Sequence, residues 1–222
     1  MHSIDVRTST DLKLFWWLFA ARGGFALLFA GMLHFTAGLF GTLFFDPIML
    51  VYLSLLLGFY IVGGGILLGV ASGFAAEHRL ELWKLLLADC IFAVCLGVYI
   101  GLSLLMTPHT LSLLAGIHAI GIGSFQLALA VKLRHDRPSV RLLGLASFLS
   151  GVAACIFFIQ MKQPVRITTE WLSYFEVLCG VVALTFAKRL HGPNSPRYSA
   201  ASTRSLQPPT LEPTHESANR HV

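Results

Sequence analysis

The sequence predicts an all-α integral membrane protein, with six transmembrane helices arranged as three tandem helical hairpins and a disordered C-terminal tail. The first observation is composition: 55% of the 222 residues are hydrophobic and only 12% are charged, against about 25% charged residues in soluble domains. The second is a set of six long apolar stretches, and the third is an internal repeat. Together they exclude a soluble globular fold.

Crossing a hydrocarbon core of about 30 Å takes about 20 apolar residues, and six stretches are long enough. They are residues 14–40, 48–75, 83–106, 110–131, 141–161 and 170–188. The first is longer than the roughly 7 to 15 apolar residues of a signal peptide, so it is expected to stay as an uncleaved anchor.

Turn residues and changes of composition mark where the predicted helices and the predicted segments of the chain end. Prolines in "FFDP" and "MTPH" mark two tight hairpins, since proline cannot continue a helix. The segment from Gly192 onward is polar and rich in Pro and Ser, with too little apolar surface to offset the entropy of ordering. We therefore predict an N-terminal segment (1–13), a six-helix domain (14–190) and a disordered tail (191–222).

Lysine and arginine are distributed unevenly between the two sides of the predicted bundle. One side holds only Lys162 and Arg166, whereas both termini, two charged connections and the tail hold nearly all the others. By the positive-inside rule both termini are expected in the cytoplasm. The net charge of +5 reflects these connections, so a nucleic-acid partner is excluded and the lipid bilayer is the expected partner. A homo-oligomer or a membrane-protein partner is compatible with this interpretation.

The repeat has about the length of one helical hairpin. Trp17 precedes Gly31 by the same spacing as Trp83 precedes Gly97, and "LLLGFYIVGGG" at 55–65 aligns with "LLAGIHAIGIG" at 113–123. The third repeat unit resembles the other two less closely. Aligned glycines are Gly58 with Gly116, Gly63 with Gly121 and Gly65 with Gly123, and the third unit retains Gly151 and Gly180.

These motifs, together with the Arg-Gly that follows Trp17 and with "LALAVKLRHDRPSVRLLGLASFLSG", resemble the HdeD-like acid-resistance membrane proteins over residues 14–190. The chain departs from that family in its longer first hairpin and in His118, where a tryptophan is expected. The resemblance implies a bacterial inner-membrane protein linked to acid stress. It implies no catalytic residues.

Glycines recur every four residues along two predicted helices, which places them on one helix face. Such small-residue faces let neighbouring backbones approach closely. We interpret them as helix-packing positions, with a sliding or gating interface as the alternative. The residues are Gly65, Gly69, Gly73, Gly97 and Gly101.

Arg22 interrupts the first apolar stretch. It follows Trp17 at nearly the same spacing as Asp89 follows Trp83, so both lie about 7 to 9 Å beyond interfacial tryptophans. Asp89 is too short to reach the headgroups. We predict a hydrogen-bonded pair of Arg22 and Asp89, with Gln126 as a third member, that fixes helix register; proton movement is the alternative.

Glu176 lies about 9 Å inside the predicted sixth span, where an ionised carboxyl is costly. We expect it to face the interior, with His118 at similar depth as partner, and to sense protons; a carboxyl bonded to a hydroxyl or backbone group is equally compatible. His34, which is expected in the same outer half of the bilayer as His118, is a further proton-sensing candidate because histidine titrates near neutral pH. For both histidines the alternative, which we favour, is a hydrogen-bonded structural role. A haem held by His34 and His118 is disfavoured because nothing places them on facing helices.

The sequence contains no phosphate-binding loop, zinc-ligand spacing or nucleophile elbow. The four cysteines are interpreted as small core residues. We therefore expect no enzyme activity, no metal and no cofactor. Two hypotheses follow: a non-catalytic membrane protein of the acid-stress type, which we favour, or a small permease or proton-coupled carrier that uses the intramembrane polar residues.

Overall fold

The computed structural model describes residues 16–39, 46–77, 82–103, 107–132 and 137–191. The predicted N-terminal segment and the tail from residue 192 lie outside these residues, whereas His191 ends the last helix. Within the described ranges the secondary structure is helical. The helices are α1 (Trp16–Leu39), α2 (Asp46–Glu77), α3 (Trp83–Leu102), α4 (Pro108–Lys132), α5 (Arg137–Ile159) and α6 (Val165–His191), with a 3-10 turn at Gln160–Lys162 before α6.

All six helices are long and apolar enough to cross a membrane. The shortest, α3, has 20 residues, which at about 1.5 Å per residue matches the hydrocarbon thickness of about 30 Å. The prediction of an all-α protein with six membrane-crossing helices is therefore confirmed.

Both prolines that marked helix breaks lie in the first turn of a helix, where a missing N–H costs no hydrogen bond. Pro47 follows Asp46 at the start of α2, and Pro108 opens α4. Thr107 caps α4, because its Oγ1 accepts a hydrogen bond from the Thr110 N–H at 3.2 Å. The prolines thus start helices and do not only end them.

The start of α6 was predicted too late, at 170 instead of Val165. Its first turns carry hydroxyl side chains that lower local hydropathy, but those hydroxyls are bonded inside the bundle. Thr169 Oγ1 donates to the Val165 carbonyl at 2.8 Å, and Thr168 Oγ1 lies 3.1 Å from Ser112 Oγ on α4. Hydroxyls satisfied in this way can be buried at little cost.

The helices form a closed ring. Each contacts its neighbours along the chain, and α6 closes the ring against α1. The closest pairs are α2 with α3, α4 with α5, and α6 with α1. Three tandem hairpins thus describe the order along the chain, while the tightest packing joins helices of neighbouring hairpins.

Even-numbered helices lie toward the inside of the ring. In their most apolar stretches 44%, 56% and 39% of residues are buried for α2, α4 and α6, compared with 33%, 28% and 28% for α1, α3 and α5. In addition, α6 contacts both α2 and α4 across the ring. Side chains on the inner faces of α2, α4 and α6 therefore meet at its centre.

Glycines allow the close helix pairs. A Cβ on Gly58 would lie 2.8 Å from the Gly101 backbone, and one on Gly97 would lie 2.8 Å from the Val62 backbone nitrogen. Gly65 and Gly69 face Ala93, Val94 and Cys90 of α3, so they also lie in this interface. Gly73 was predicted there and is not: it is exposed with open space around it. A four-residue spacing rotates away from one helix face, so at this turn Ser72 faces α3 instead and donates to the Trp83 carbonyl at 3.0 Å.

Candidate functional site

Three ionisable side chains converge at the centre of the ring, one from each inner helix. They are Tyr60 of α2, His118 of α4 and Glu176 of α6, with 8%, 6% and 0% of their surface exposed. Glu176 is among the most completely buried side chains of the described residues. An ionisable group buried in this way within a membrane-spanning segment is a candidate functional residue.

The hydrogen bonding of Glu176 is incomplete. Tyr60 donates its hydroxyl proton to Glu176 Oε2 at 2.5 Å, while the other carboxyl oxygen, Oε1, faces His118 Nε2 at 3.7 Å. That distance is too long for a hydrogen bond. Both of these atoms are buried without a hydrogen-bond partner, although most buried polar atoms in proteins have one. The cluster therefore lacks a hydrogen bond between Glu176 Oε1 and His118 Nε2 at its centre.

Aromatic rings hold Tyr60 in place. Its ring stacks on Phe29 of α1, with centroids 4.1 Å apart and planes within 1° of parallel, and the edge of the His118 ring faces it at 6.1 Å. These contacts restrict rotation of the phenol ring. They keep its hydroxyl directed at Glu176.

Tyr60, His118 and Glu176 occupy equivalent positions of the three repeats, since the spacing from Tyr60 to His118 equals the spacing from His118 to Glu176. The alignment of "LLLGFYIVGGG" with "LLAGIHAIGIG" already places Tyr60 over His118. We did not single out Tyr60 from the sequence. Continuing the register for one more repeat would have found all three residues.

Glu176 lies deeper than the sequence predicted. Measured from the start of α6 at Val165, it lies about 16 Å along the helix at about 1.5 Å per residue, instead of about 9 Å. The difference follows from the polar first turns of α6, which hydropathy assigned to a loop. Glu176 is therefore near the middle of its helix.

Arg22 and Asp89 lie together as their shared depth predicted. Arg22 Nη1 is 3.4 Å from Asp89 Oδ2, with 23% and 9% of the two side chains exposed. The guanidinium also lies 5.7 Å from the centre of the Phe125 ring, within range of a cation–π contact. The structure thus supplies this arginine with two partners, while the role of the pair remains a prediction.

Gln126 does not join that pair. Its Oε1 accepts a hydrogen bond from Ser150 of α5 at 3.4 Å, because α4 packs closely on α5 and turns the amide toward that helix. Gln126 nevertheless lines the same cavity as Arg22.

That cavity connects the two polar sites. It has a free volume of about 40 Å³, and its polar lining groups come from Arg22, Tyr60 and Gln126. A buried space of about 10 to 15 Å³ holds one water if polar partners are present. The cavity therefore has room for a few water molecules between the Arg22–Asp89 pair and the Tyr60–Glu176 hydrogen bond.

His34 lies away from the central cluster, exposed on α1. The sequence placed it near His118 in depth, but depth does not fix which face of a helix a residue occupies. His34 and His118 are thus not brought together. The interpretation of the cysteines as core residues is wrong for Cys95 and Cys155, which are exposed on the outside of the bundle.

Among the residues that the structure describes, no group of three or more His, Cys, Asp and Glu side chains is placed to hold a metal ion. Comparison of the chain with protein-family models, curated proteins and solved structures gives no match. Fold and site define a six-helix integral membrane protein with ionisable side chains from three repeats at its centre.

Proposed function

We propose that this chain is a non-catalytic protein of a bacterial inner membrane that responds to acid through proton uptake at the cluster of Tyr60, His118 and Glu176. The observation that carries the proposal is the unmade contact between Glu176 Oε1 and His118 Nε2, two buried polar atoms 3.7 Å apart without hydrogen-bond partners. A single added proton would give this contact a donor.

The chemistry of the contact favours a proton as the ligand. An ionised carboxylate has only acceptors, and we assign the neutral His118 ring the tautomer with its hydrogen on Nδ1, in which Nε2 is also an acceptor, so the two atoms repel. A proton on either atom turns the contact into a hydrogen bond once the atoms approach by about 0.5 to 1 Å. Proton uptake would therefore draw α4 and α6 together at the centre of the ring.

The other ionisable groups near Glu176 set its electrostatic surroundings. Tyr60 of α2 bonds directly to it, and Arg22 of α1 and Cys179 of α6 line the adjoining cavity. Asp89 of α3 neutralises Arg22, and α5 presents Leu143 to that cavity. Because these groups lie on different helices, a change of charge at Glu176 acts on the packing of the whole ring.

A second candidate function is a proton-coupled carrier, supported by the cavity beside the cluster, whose mostly apolar lining includes the polar side chains of Arg22, Tyr60 and Gln126. Its free volume of about 40 Å³ is small beside the roughly 300 to 1,000 Å³ of a typical small-molecule site. Water and protons fit this space in the present conformation, whereas a metabolite does not. We therefore favour acid response over solute transport.

The proposed orientation places both termini in the cytoplasm. The end of the bundle where α1 begins carries Lys84, Lys132, Arg141, Lys188 and Arg189 among the described residues, and we call it the basic end. The opposite end carries Lys162 and Arg166. This asymmetry supports a cytoplasmic basic end by the positive-inside rule.

Complementation of a deletion strain tests the proposal. Cells that carry the parent gene, Glu176→Gln or Glu170→Gln would be exposed to acid, with survival and internal pH measured together. Glu170 is a matched control on the same helix, partly exposed and paired with Arg166 at 3.1 Å. We expect Glu176→Gln to behave as the deletion and Glu170→Gln as the parent. Equal survival of deletion and parent would refute the proposal.

A further inference from the structure

The cavity beside Arg22 has a definite position along the bundle. It begins at Tyr60, Ala26 and Cys179, and it extends to Phe19 and Phe186. Phe186 lies little more than one turn before the end of α6, so the cavity reaches to within about 8 Å of the basic end. From Cys179 to Phe186 it covers about 10 Å along the helix axis.

Exposure of the polar side chains falls along the same direction. Arg22 retains 23% exposure, Tyr60 8% and Glu176 none. On the other side of Glu176 the core is closely packed. Leu114, Phe157 and Phe175 are each at most 5% exposed, and the buried hydroxyls there, such as those of Thr168 and Ser173, are bonded within the bundle. The exposed fraction of the polar side chains therefore decreases from the basic end to the Glu176 carboxyl, and beyond that carboxyl the core is closely packed.

We infer that this cavity is a hydrated half-channel through which Glu176 exchanges protons with the basic end of the bundle and not with the opposite end. Arg22, Gln126 and Tyr60 line the cavity and supply the polar partners that buried water requires. The inference rests on the proposed function in taking Glu176 as the proton-binding group, and it adds the route and its direction.

Tyr60 completes the route, because it lines the cavity and also donates to Glu176. When the O–H bond of Tyr60 breaks, its proton forms an O–H bond with Glu176 Oε2, and the Tyr60 oxygen takes a proton from a hydronium ion in the cavity. The hydronium becomes water and Tyr60 is unchanged. The net result is one proton moved from cavity water to the carboxylate.

The chain contains a matched pair of cysteines for a test. Cys179 lines the cavity, and its spacing from the end of α6 at His191 equals the spacing of Cys95 from the start of α3 at Trp83. Both of these helix termini lie at the basic end, and Cys95 is exposed on the outside of the bundle. The two thiols thus have similar depths, one at the proposed water and one at lipid.

The probe is the silver ion in chloride-free buffer, which forms an S–Ag bond as the thiol proton leaves to water. Full-length variants that retain only Cys179 or only Cys95 would be sealed in vesicles and exposed to silver from one side. Remaining thiols would then be labelled in denaturant. Lys84→Cys and Lys162→Cys in the cysteine-free chain mark the accessible end.

When silver is added from the basic end, we expect it to block Cys179 against the later labelling more than about tenfold faster than it blocks Cys95. The reason is that an ion is strongly excluded from hydrocarbon. From the opposite end neither should be protected. Ala183→Cys in the cysteine-free chain lines the same cavity one turn nearer the basic end and should react like Cys179.

Absence of protection at both Cys179 and Ala183→Cys would overturn the hydrated cavity. Equal rates at Cys179 and Cys95, or equal access from both ends, would overturn the one-sided route. Any of these results would leave the acid-survival difference between Glu176→Gln and Glu170→Gln intact if the proposed function holds, so the two failures are distinguishable.

Discussion

Tyr60 and Glu176 lie 116 residues apart in the chain, and the Tyr60 hydroxyl donates a 2.5 Å hydrogen bond to Glu176 Oε2 in the centre of the ring. The bond joins equivalent positions of the first and third repeats. His118, from the second repeat, faces the remaining carboxyl oxygen. Equivalent positions of three similar hairpins thus bring three different ionisable groups to one point.

Replacement of Tyr60 by phenylalanine tests that bond. The substitution keeps the ring that stacks on Phe29 and removes only the hydroxyl. We expect a loss of about 1 to 3 kcal/mol in the free energy of unfolding, as for a hydrogen bond to a charged or buried group. The measurement is denaturation in mixed micelles. Tyr99→Phe, at a position 58% exposed on α3, is the control and should change little. An unchanged stability of Tyr60→Phe would show that the bond contributes nothing.

The Arg22–Asp89 pair is expected to stabilise the contact between its helices. Both side chains are mostly buried. Either alanine variant should therefore have a free energy of unfolding about 1 to 3 kcal/mol lower than the parent, a loss between the values for exposed and fully buried ion pairs. The double variant Arg22→Asp with Asp89→Arg should recover part of that loss. The measurement is the thermal stability of the two alanine variants and the double variant in detergent.

The exposed pair of Arg166 and Glu170 on α6 serves as the comparison. Its removal should cost only about 0.3 to 0.5 kcal/mol, the usual value for an exposed pair one helical turn apart. If Arg22→Ala and Asp89→Ala were as stable as the parent, the buried pair would have no structural role.

Two glycines of α2 should respond in opposite ways to alanine. Gly58→Ala places a methyl group 2.8 Å from the Gly101 backbone, so we expect a loss of about 1 to 3 kcal/mol from overpacking. Gly73→Ala meets open space and should be neutral or gain up to about 1 kcal/mol from helix propensity. Unfolding of the two variants side by side is the measurement. A similar change in both would contradict the close α2–α3 interface.

Much of this fold could be predicted from the sequence because membrane helices are determined by length and hydropathy alone. The common depth of Arg22 and Asp89 could also be predicted, since both follow an interfacial tryptophan. Which face a residue occupies could not: Gln126 and His34 have suitable depths but lie on other faces of their helices. The early start of α6 was missed because its first turns carry threonines, and only the folded bundle shows that their hydroxyls are bonded internally.

Orientation can be tested without any assumption about function. Alkaline phosphatase fused after His191 should be inactive, because the positive-inside rule places the basic end in the cytoplasm. In the cysteine-free chain, Lys162→Cys should react with an impermeant maleimide added to intact cells, and Lys84→Cys should not. An active fusion, or the reverse labelling, would invert the proposed topology.

The proposed function requires Glu176 to bind and release a proton as the pH changes. Infrared difference spectroscopy of the protein in lipid measures this directly, because a protonated carboxyl has a C=O stretching band that the carboxylate lacks. The chain contains 11 Asp and Glu residues, so acidification produces carboxyl bands in every variant. We predict that the parent spectrum contains one component that Glu176→Gln lacks and that Glu170→Gln retains. A spectrum for Glu176→Gln identical to that of the parent would contradict the account.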